Sequence, residues 1–147
     1  MLGLMVFLAC SSELDNKPGA RITRSVSTKS DGEGKRLGLL PNSRVEWVGS
    51  KVSLDHRGGF EQIGGFAVVN QEELVELEAQ FEIASLFSDH PKLTKHLLDP
   101  DFFDVEAFPR ASFVLKSYTP KENGGEMIGV LTLKGISKTI AFPAQVS

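Results

Sequence analysis

The chain has 147 residues, enough for one domain with a tail, and at that size roughly 68–70% of the unfolded surface can be buried without covalent staples. Hydrophobic residues make up 41% and charged residues 24%, which excludes a wholly disordered chain. A net charge of −3 gives no whole-molecule attraction to nucleic acid, and a single cysteine excludes both a disulfide framework and a four-cysteine zinc site. Ten Phe against one Trp and one Tyr suit an apolar interior better than a hydrogen-bonding recognition surface.

In chain order, the first segment covers residues 1–10. Met1 to Ala9 (MLGLMVFLA) is apolar apart from Gly3 and far too short to span a bilayer. Its length suits a signal-peptide apolar region, it ends in the small residue Ala9, and Cys10-Ser11-Ser12 follows at once. This resembles a bacterial lipoprotein signal, in which the chain is cut before the cysteine and the cysteine carries lipid. A plain secretory signal, or an apolar end with an incidental cysteine, is the alternative. Residues 11–42 are rich in Ser, Gly, Lys, Arg and Asn and carry no lasting apolar period. They read as a flexible polar tether, because such a segment buries too little surface to offset its ordering entropy. Arg21, Arg24, Lys29, Lys35 and Arg36 suit either contact with anionic lipid or plain solvation.

From Ser43 the pattern changes to period two. Val75, Leu77, Ala79, Phe81 and Ile83 alternate with Glu76, Glu78, Gln80 and Glu82, one apolar and one charged face of a strand. Similar alternation marks Val45/Trp47, Val52/Leu54, Phe66/Val68, Phe113/Leu115, Leu131/Leu133 and Ile140/Phe142/Ala144/Val146. Gly58-Gly59, Gly64-Gly65, Asn70-Gln71, Asn123-Gly124-Gly125 and Gly135 read as the turns between them. Ser88 to Leu98 breaks the rhythm: Asp89 is a candidate helix cap, Pro91 fits a first turn, and Leu93, Leu97 and Leu98 share a face. Asp99-Pro100-Asp101 ends that helix. The expectation is an all-β antiparallel meander, closed as a barrel or curled sandwich, with one short helical insertion near 89–104.

The order of these motifs resembles the YceI family of polyisoprenoid-binding, lipocalin-like proteins. His96-Leu97, Asp101-Phe102-Phe103, Phe108-Pro109 and Ser112-Phe113 stand where the family has a helix ending in His-Leu, an Asp-Phe-Phe/Leu element, an aromatic-Pro pair and a Ser/Thr-Phe strand. Gly129 to Lys134, with Gly135-Ile136-Ser137-Lys138, resembles its Gly-x-Leu-Thr-Leu-x-Gly-Val-Thr-Lys hairpin. Ser43 to Trp47, His56, Gly58-Gly59-Phe60 and Gly65-Phe66 resemble its opening strands. The resemblance covers residues 43–147 and implies a lipocalin-like barrel. Family members continue past the strand matching Ile140 to Val146, so the barrel is expected to be partial and incompletely closed, with a free edge there through which copies of the chain pair.

What the resemblance implies about function is binding of a long isoprenoid or similar amphiphile, such as a quinone or polyprenyl phosphate, inside the barrel, as a carrier or reservoir in the bacterial cell envelope. Trp47, Phe66, Phe81, Ile83, Phe113, Leu131 and Leu133 are the candidate lining residues, and Cys10 the candidate lipid anchor on the periplasmic side of a membrane. No cofactor beyond such a ligand is expected. The alternative is an interaction module pairing through an open sheet edge. A barrel hydrolase using His56 with an acid is the third reading. No nucleophile elbow or Gly-rich phosphate loop is present; His56, His90 and His96 could in principle form a metal site with Asp55 or Asp99, but His90 and His96 are six apart and do not share a helix face. The chain is therefore expected to be a binding protein without catalytic or metal-ligating residues.

Overall fold

The computed structural model describes residues 4–10, 21–22, 34–51, 54–122 and 124–146. Their strands are β1 (Leu4–Cys10), β2 (Arg21–Ile22), β3 (Lys35–Gly38), β4 (Arg44–Lys51), β5 (Leu54–Phe60), β6 (Ile63–Asn70), β7 (Glu73–Glu82), β8 (Leu86–Ser88), β9 (Arg110–Lys121), β10 (Gly124–Leu133) and β11 (Ile136–Val146). One helix, α1 (Pro91–Leu98), and a 3-10 turn at Ile83–Ser85 interrupt them. The strands form one sheet in the order β3-β6-β7-β9-β10-β11-β1-β4-β5-β8, with β2 beside β11. The outermost strands, β3 and β8, do not pair with each other, so the curled sheet is not closed by hydrogen bonds.

The meander β9-β10-β11 and the β6-β7 hairpin are antiparallel, as their alternation predicts. Gln71 and Glu72 take φ of 47° and 70°, and Lys134 and Gly135 take 50° and 71°, the left-handed pairs that tight hairpins require. On β7 the apolar face is Leu77, Ala79 and Phe81, all buried. A bulge opposite Val68/Val69 shifts the phase at its start, so that Leu74 is buried and Val75 only half-buried. Ile140, Phe142 and Ala144 of β11 are buried as well.

Four expectations change. Gly58-Gly59 and Gly64-Gly65 are not turns but lie inside β5 and β6. The polar segment 11–42 contributes β2 and β3, the latter paired with β6 over Lys35–Gly38 because Leu37 and Leu39 partly bury their side chains while Arg36 stacks on Phe66. Its residues 11–20 and 23–33 lie outside the described residues, as do Val52 and Asn123. The apolar segment Leu4–Cys10 is a strand, antiparallel to β11 and parallel to β4. With β1 and β2 on its far side, β11 has neighbours on both flanks rather than a free edge.

The helix begins one residue later than its sequence suggests. His90, not Asp89, is the N-cap, its Nδ1 accepting from the Lys92 N–H at 3.3 Å. Asp89 is occupied elsewhere: its carboxylate accepts from the Arg57 N–H and from His56 Nδ1, each at 3.0 Å. Its own N–H donates to the Arg57 carbonyl at 2.8 Å. These three bonds tie the start of α1 to β5. Leu97 then buries itself in the core, with Leu93 and Leu98 packed against it.

Candidate functional site: an apolar cavity inside the curled sheet

The inward faces of the sheet do not meet. They line a partly open cavity of about 250 Å³ whose exposed lining is apolar. Trp47, Phe60, Leu77, Phe81, Phe113 and Phe142 supply much of its wall, with Leu97 and Phe103 from the helical insertion. An engineered apolar cavity of about 150 Å³ stays dry and takes up benzene; this one has room for a short run of isoprene units or the end of a longer chain.

Each strand delivers its lining residue by alternation, and the pairings fix which series points inward. Ile63 pairs with Phe81 and Ala79 with Phe113, which sets these side chains on one face. The Phe60 ring lies 5.9 Å from Phe81 and 5.9 Å from Phe103, the latter edge-on, and Phe113 meets Phe142 edge-on at 5.5 Å. Glycines make the space for these rings. A Cβ at Gly129 would stand 2.2 Å from the Phe113 ring, and one at Gly58 would stand 2.4 Å from the Trp47 ring. Gly58 and Gly59 are therefore strand residues that admit rings from neighbouring strands.

Of the seven lining candidates, Trp47, Phe81, Phe113, Leu131 and Leu133 border the cavity. Phe66 and Ile83 do not. Phe66 belongs to the outer series of β6, half-buried under Arg36, whose guanidinium carbon sits 3.4 Å above the ring centroid. That strand carries two interleaved apolar series, Ile63/Ala67/Val69 and Phe66/Val68; pairing of Ala67 with Leu77 selects the first as the inner one. Ile83 is buried, but the chain turns there: its N–H donates to the Pro109 carbonyl at 2.9 Å, and its side chain joins the core beside the cavity. Cys10 lies at the end of β1, in register with Gly49.

Alternation in the sequence pointed to the strands bearing Leu77 and Phe142, so these could have been found there. Leu39, Leu97 and Phe103 were not findable that way, since they come from a loop and the helical insertion. In the pair Phe102-Phe103 the roles divide: Phe103 lines the cavity, whereas Phe102 is 48% exposed with His96 against its ring at 4.7 Å.

Two polar residues, Ser43 and Arg44, stand at the cavity border. His56 and Asp89 are not among the residues bordering the cavity. The Arg57 N–H, and after it the His56 ring, hold the Asp89 carboxyl below the usual carboxylate value. His96 Nδ1 stands 3.7 Å from Asp99. Among the described residues no three His, Cys, Asp or Glu side chains converge as metal ligands would.

The family model described as a YceI-like domain matches residues 41–147. The chain belongs to the YceI family. Relatives include a UPF0312 protein of Pseudomonas putida (strain W619), 34% identical over 73 residues, which is 49% of this chain and 38% of the relative. A UPF0312 protein of Photorhabdus laumondii subsp. laumondii is 30% identical over 92 residues, 60% of this chain and 47% of the relative. The chain thus spans less than half the length of these relatives. Among solved structures, the Campylobacter jejuni YCEI protein superposes with a TM-score of 0.53 at 22% identity, covering 85% of this chain and 62% of that one. Burkholderia cenocepacia BcnA gives 0.54 at 22% identity, covering 62% and 59%. At that identity the likeness concerns the fold, which is the YceI curled sheet.

Proposed function

We infer that this chain binds a long-chain isoprenoid lipid in the cavity and serves as a carrier or reservoir rather than as an enzyme. One observation carries the reading: a space of about 250 Å³ whose exposed lining is apolar, ringed by aromatic and aliphatic side chains. Burial of isoprenoid carbons there releases about 25 cal/mol per Å² of apolar surface, so a tail of a few units binds without any charged group. Membership of the YceI family supports the ligand class.

The place of action is the cell envelope. That part of the proposal rests on Met1 to Ala9 and the adjoining Cys10. Cleavage and lipidation at Cys10 would remove most of β1 from its position between β11 and β4. Mass analysis of the mature N-terminus after expression in bacteria decides between the two states: a diacylglyceryl-modified Cys10 supports the anchor, an intact Met1 rejects it. The binding proposal is tested by organic extraction of the purified protein followed by mass spectrometry. An isoprenoid species near one per chain is expected; extracts free of isoprenoid, from protein expressed in cells that make it, count against the reading.

A further inference from the structure

Most of the cavity wall stands on paired strands, but two irregular segments also border it, and each leaves one of the unpaired outermost strands. Residues 39–43, between β3 and β4, contribute Leu39 and Ser43; residues 89–109, between β8 and β9, contribute Leu97 and Phe103. The first of these carries the chain from one margin of the sheet to its opposite half, past the cavity. The two are held very differently. The 89–109 segment is tied at its start by the Asp89 bonds to His56 and Arg57 of β5, and in its middle by the Lys134 ammonium donating to the Pro100 carbonyl. At its end the Pro109 carbonyl accepts from the Ile83 N–H at 2.9 Å. Among the described residues, segment 39–43 has one backbone hydrogen bond to the rest of the sheet, from the Leu39 N–H to the Gly65 carbonyl at 3.0 Å. The Ser43 N–H turns back on the segment itself, to the Leu40 carbonyl at 2.9 Å. Leu39, Leu40 and Ser43 are half-buried, and Pro41 and Asn42 are exposed.

Building on the isoprenoid-binding reading, we propose that segment 39–43 is the gate of the cavity: it lifts away from β6 to admit or release the lipid and closes over it again. Opening elsewhere breaks more. The walls on β7, β9, β10 and β11 belong to strands paired on both sides, so a passage between them disrupts a ladder of hydrogen bonds. Lifting segment 39–43 breaks one backbone bond and withdraws Leu39, which packs against the core while only partly buried. Native chains open locally where backbone bonds and buried contacts are few. A gate of this kind sets how fast a ligand exchanges, whereas contacts in the closed state set how tightly it is held. Pro41 restricts the backbone of the segment without bordering the cavity, so it bears on the gate and not on the wall.

The test compares the same change at two places. Pro41→Gly loosens the gate and Pro100→Gly loosens the 89–109 segment; both prolines are exposed and neither borders the cavity. The probe is a benzoquinone with a short prenyl tail. Its binding to the full chain is followed by stopped-flow quenching of Trp47, the chain's one tryptophan, which borders the cavity. Release is followed by chasing with the prenyl alcohol of the same tail. Pro41→Gly is expected to raise the association and dissociation rates about threefold each and to leave Kd near wild type. Pro100→Gly should leave both rates near wild type. Wild-type rates in Pro41→Gly, a rise in its dissociation rate alone, or an equal acceleration by Pro100→Gly overturns the gate. Amide exchange of the wild type is the second readout, and it decides alone if Pro41→Gly does not fold. The Leu39 N–H is expected to exchange faster than the paired amides of β7 and to slow when the probe is bound; protection equal to that of β7 overturns the proposal. If the wild type binds no probe, the isoprenoid-binding reading fails and the gate falls with it, whereas probe binding with unaltered rates in Pro41→Gly fails the gate alone.

Discussion

Trp47 and Gly58 face each other across the β4–β5 pair, and the indole fills the space that a side chain at Gly58 would need, with Cζ2 2.4 Å from the position of a Cβ there. The Phe87 carbonyl stands equally close, at 2.4 Å. Gly58→Ala is therefore expected to displace the ring and cost about 1–3 kcal/mol by overpacking. Gly64 is the control: nothing lies within 4 Å of a Cβ built there, so Gly64→Ala should leave stability near wild type. Urea unfolding of the two variants, followed through Trp47 emission, measures both effects. Equal stability of the two variants would contradict the close approach.

Phe81 and Phe66 separate the inner from the outer series. Phe81 borders the cavity at 6% exposure and contacts Phe60. Phe81→Ala should cost about 3 kcal/mol, at the lower end of the core range because part of the ring already faces open space, and should release bound lipid. Phe66→Ala removes an outer ring and its Arg36 contact; lipid retention is expected to stay unchanged. Lipid content measured beside denaturation midpoints checks this, and a reversed order of lipid loss would contradict the assignment of faces.

Asp89 gives an acid limb to stability. Its carboxyl titrates below the ordinary value of 3.8 because the Arg57 N–H, and then His56, favour the charged form. A depressed folded value means the contribution is present above 3.8 and is lost as pH falls through the lower folded value. Asp89→Asn should therefore narrow the stability difference between neutral pH and about pH 3. Thermal unfolding of both proteins across that range is the measurement. An unchanged acid limb in the variant would contradict the pairing.

The strand β1 predicts an association state. Leu4–Cys10 pairs with both β11 and β4, and removing residues 1–10 leaves those two strands with unpaired backbone groups. The shortened chain should associate as its concentration rises, whereas the 147-residue chain should do so much less. Light scattering over a concentration series compares them. A shortened chain that stays monomeric and equally stable would contradict the role of β1.

Much of the architecture is legible locally, and the exceptions share a cause. The inward series Leu77, Ala79 and Phe81 declares itself because its neighbours Glu76, Glu78, Gln80 and Glu82 are polar, and the row Ile140, Phe142 and Ala144 because it keeps a strict period of two. Gly58-Gly59 looks like a turn because its reason for being a strand, the rings of Trp47 and Phe87, comes from other strands. Phe66 reads as inward from the sequence because its strand carries two apolar series, and only the pairing with β7 distinguishes them. Asp89 resembles a helix cap in every local respect, yet His56 and Arg57, more than thirty residues away, claim its carboxylate. The unpartnered indole of Trp47 has no sequence signature, since an orphan is defined by what surrounds it.

The central claim is that lipid occupies this cavity, and filling the cavity tests it most directly. Leu131 borders the space and is only half-buried, so Leu131→Trp can place a larger ring there with limited strain on the sheet. Lipid extracted per folded chain is compared between wild type and variant. The account predicts a cooperatively folded variant with its bound isoprenoid largely gone. A folded Leu131→Trp chain that keeps its full lipid content would contradict it.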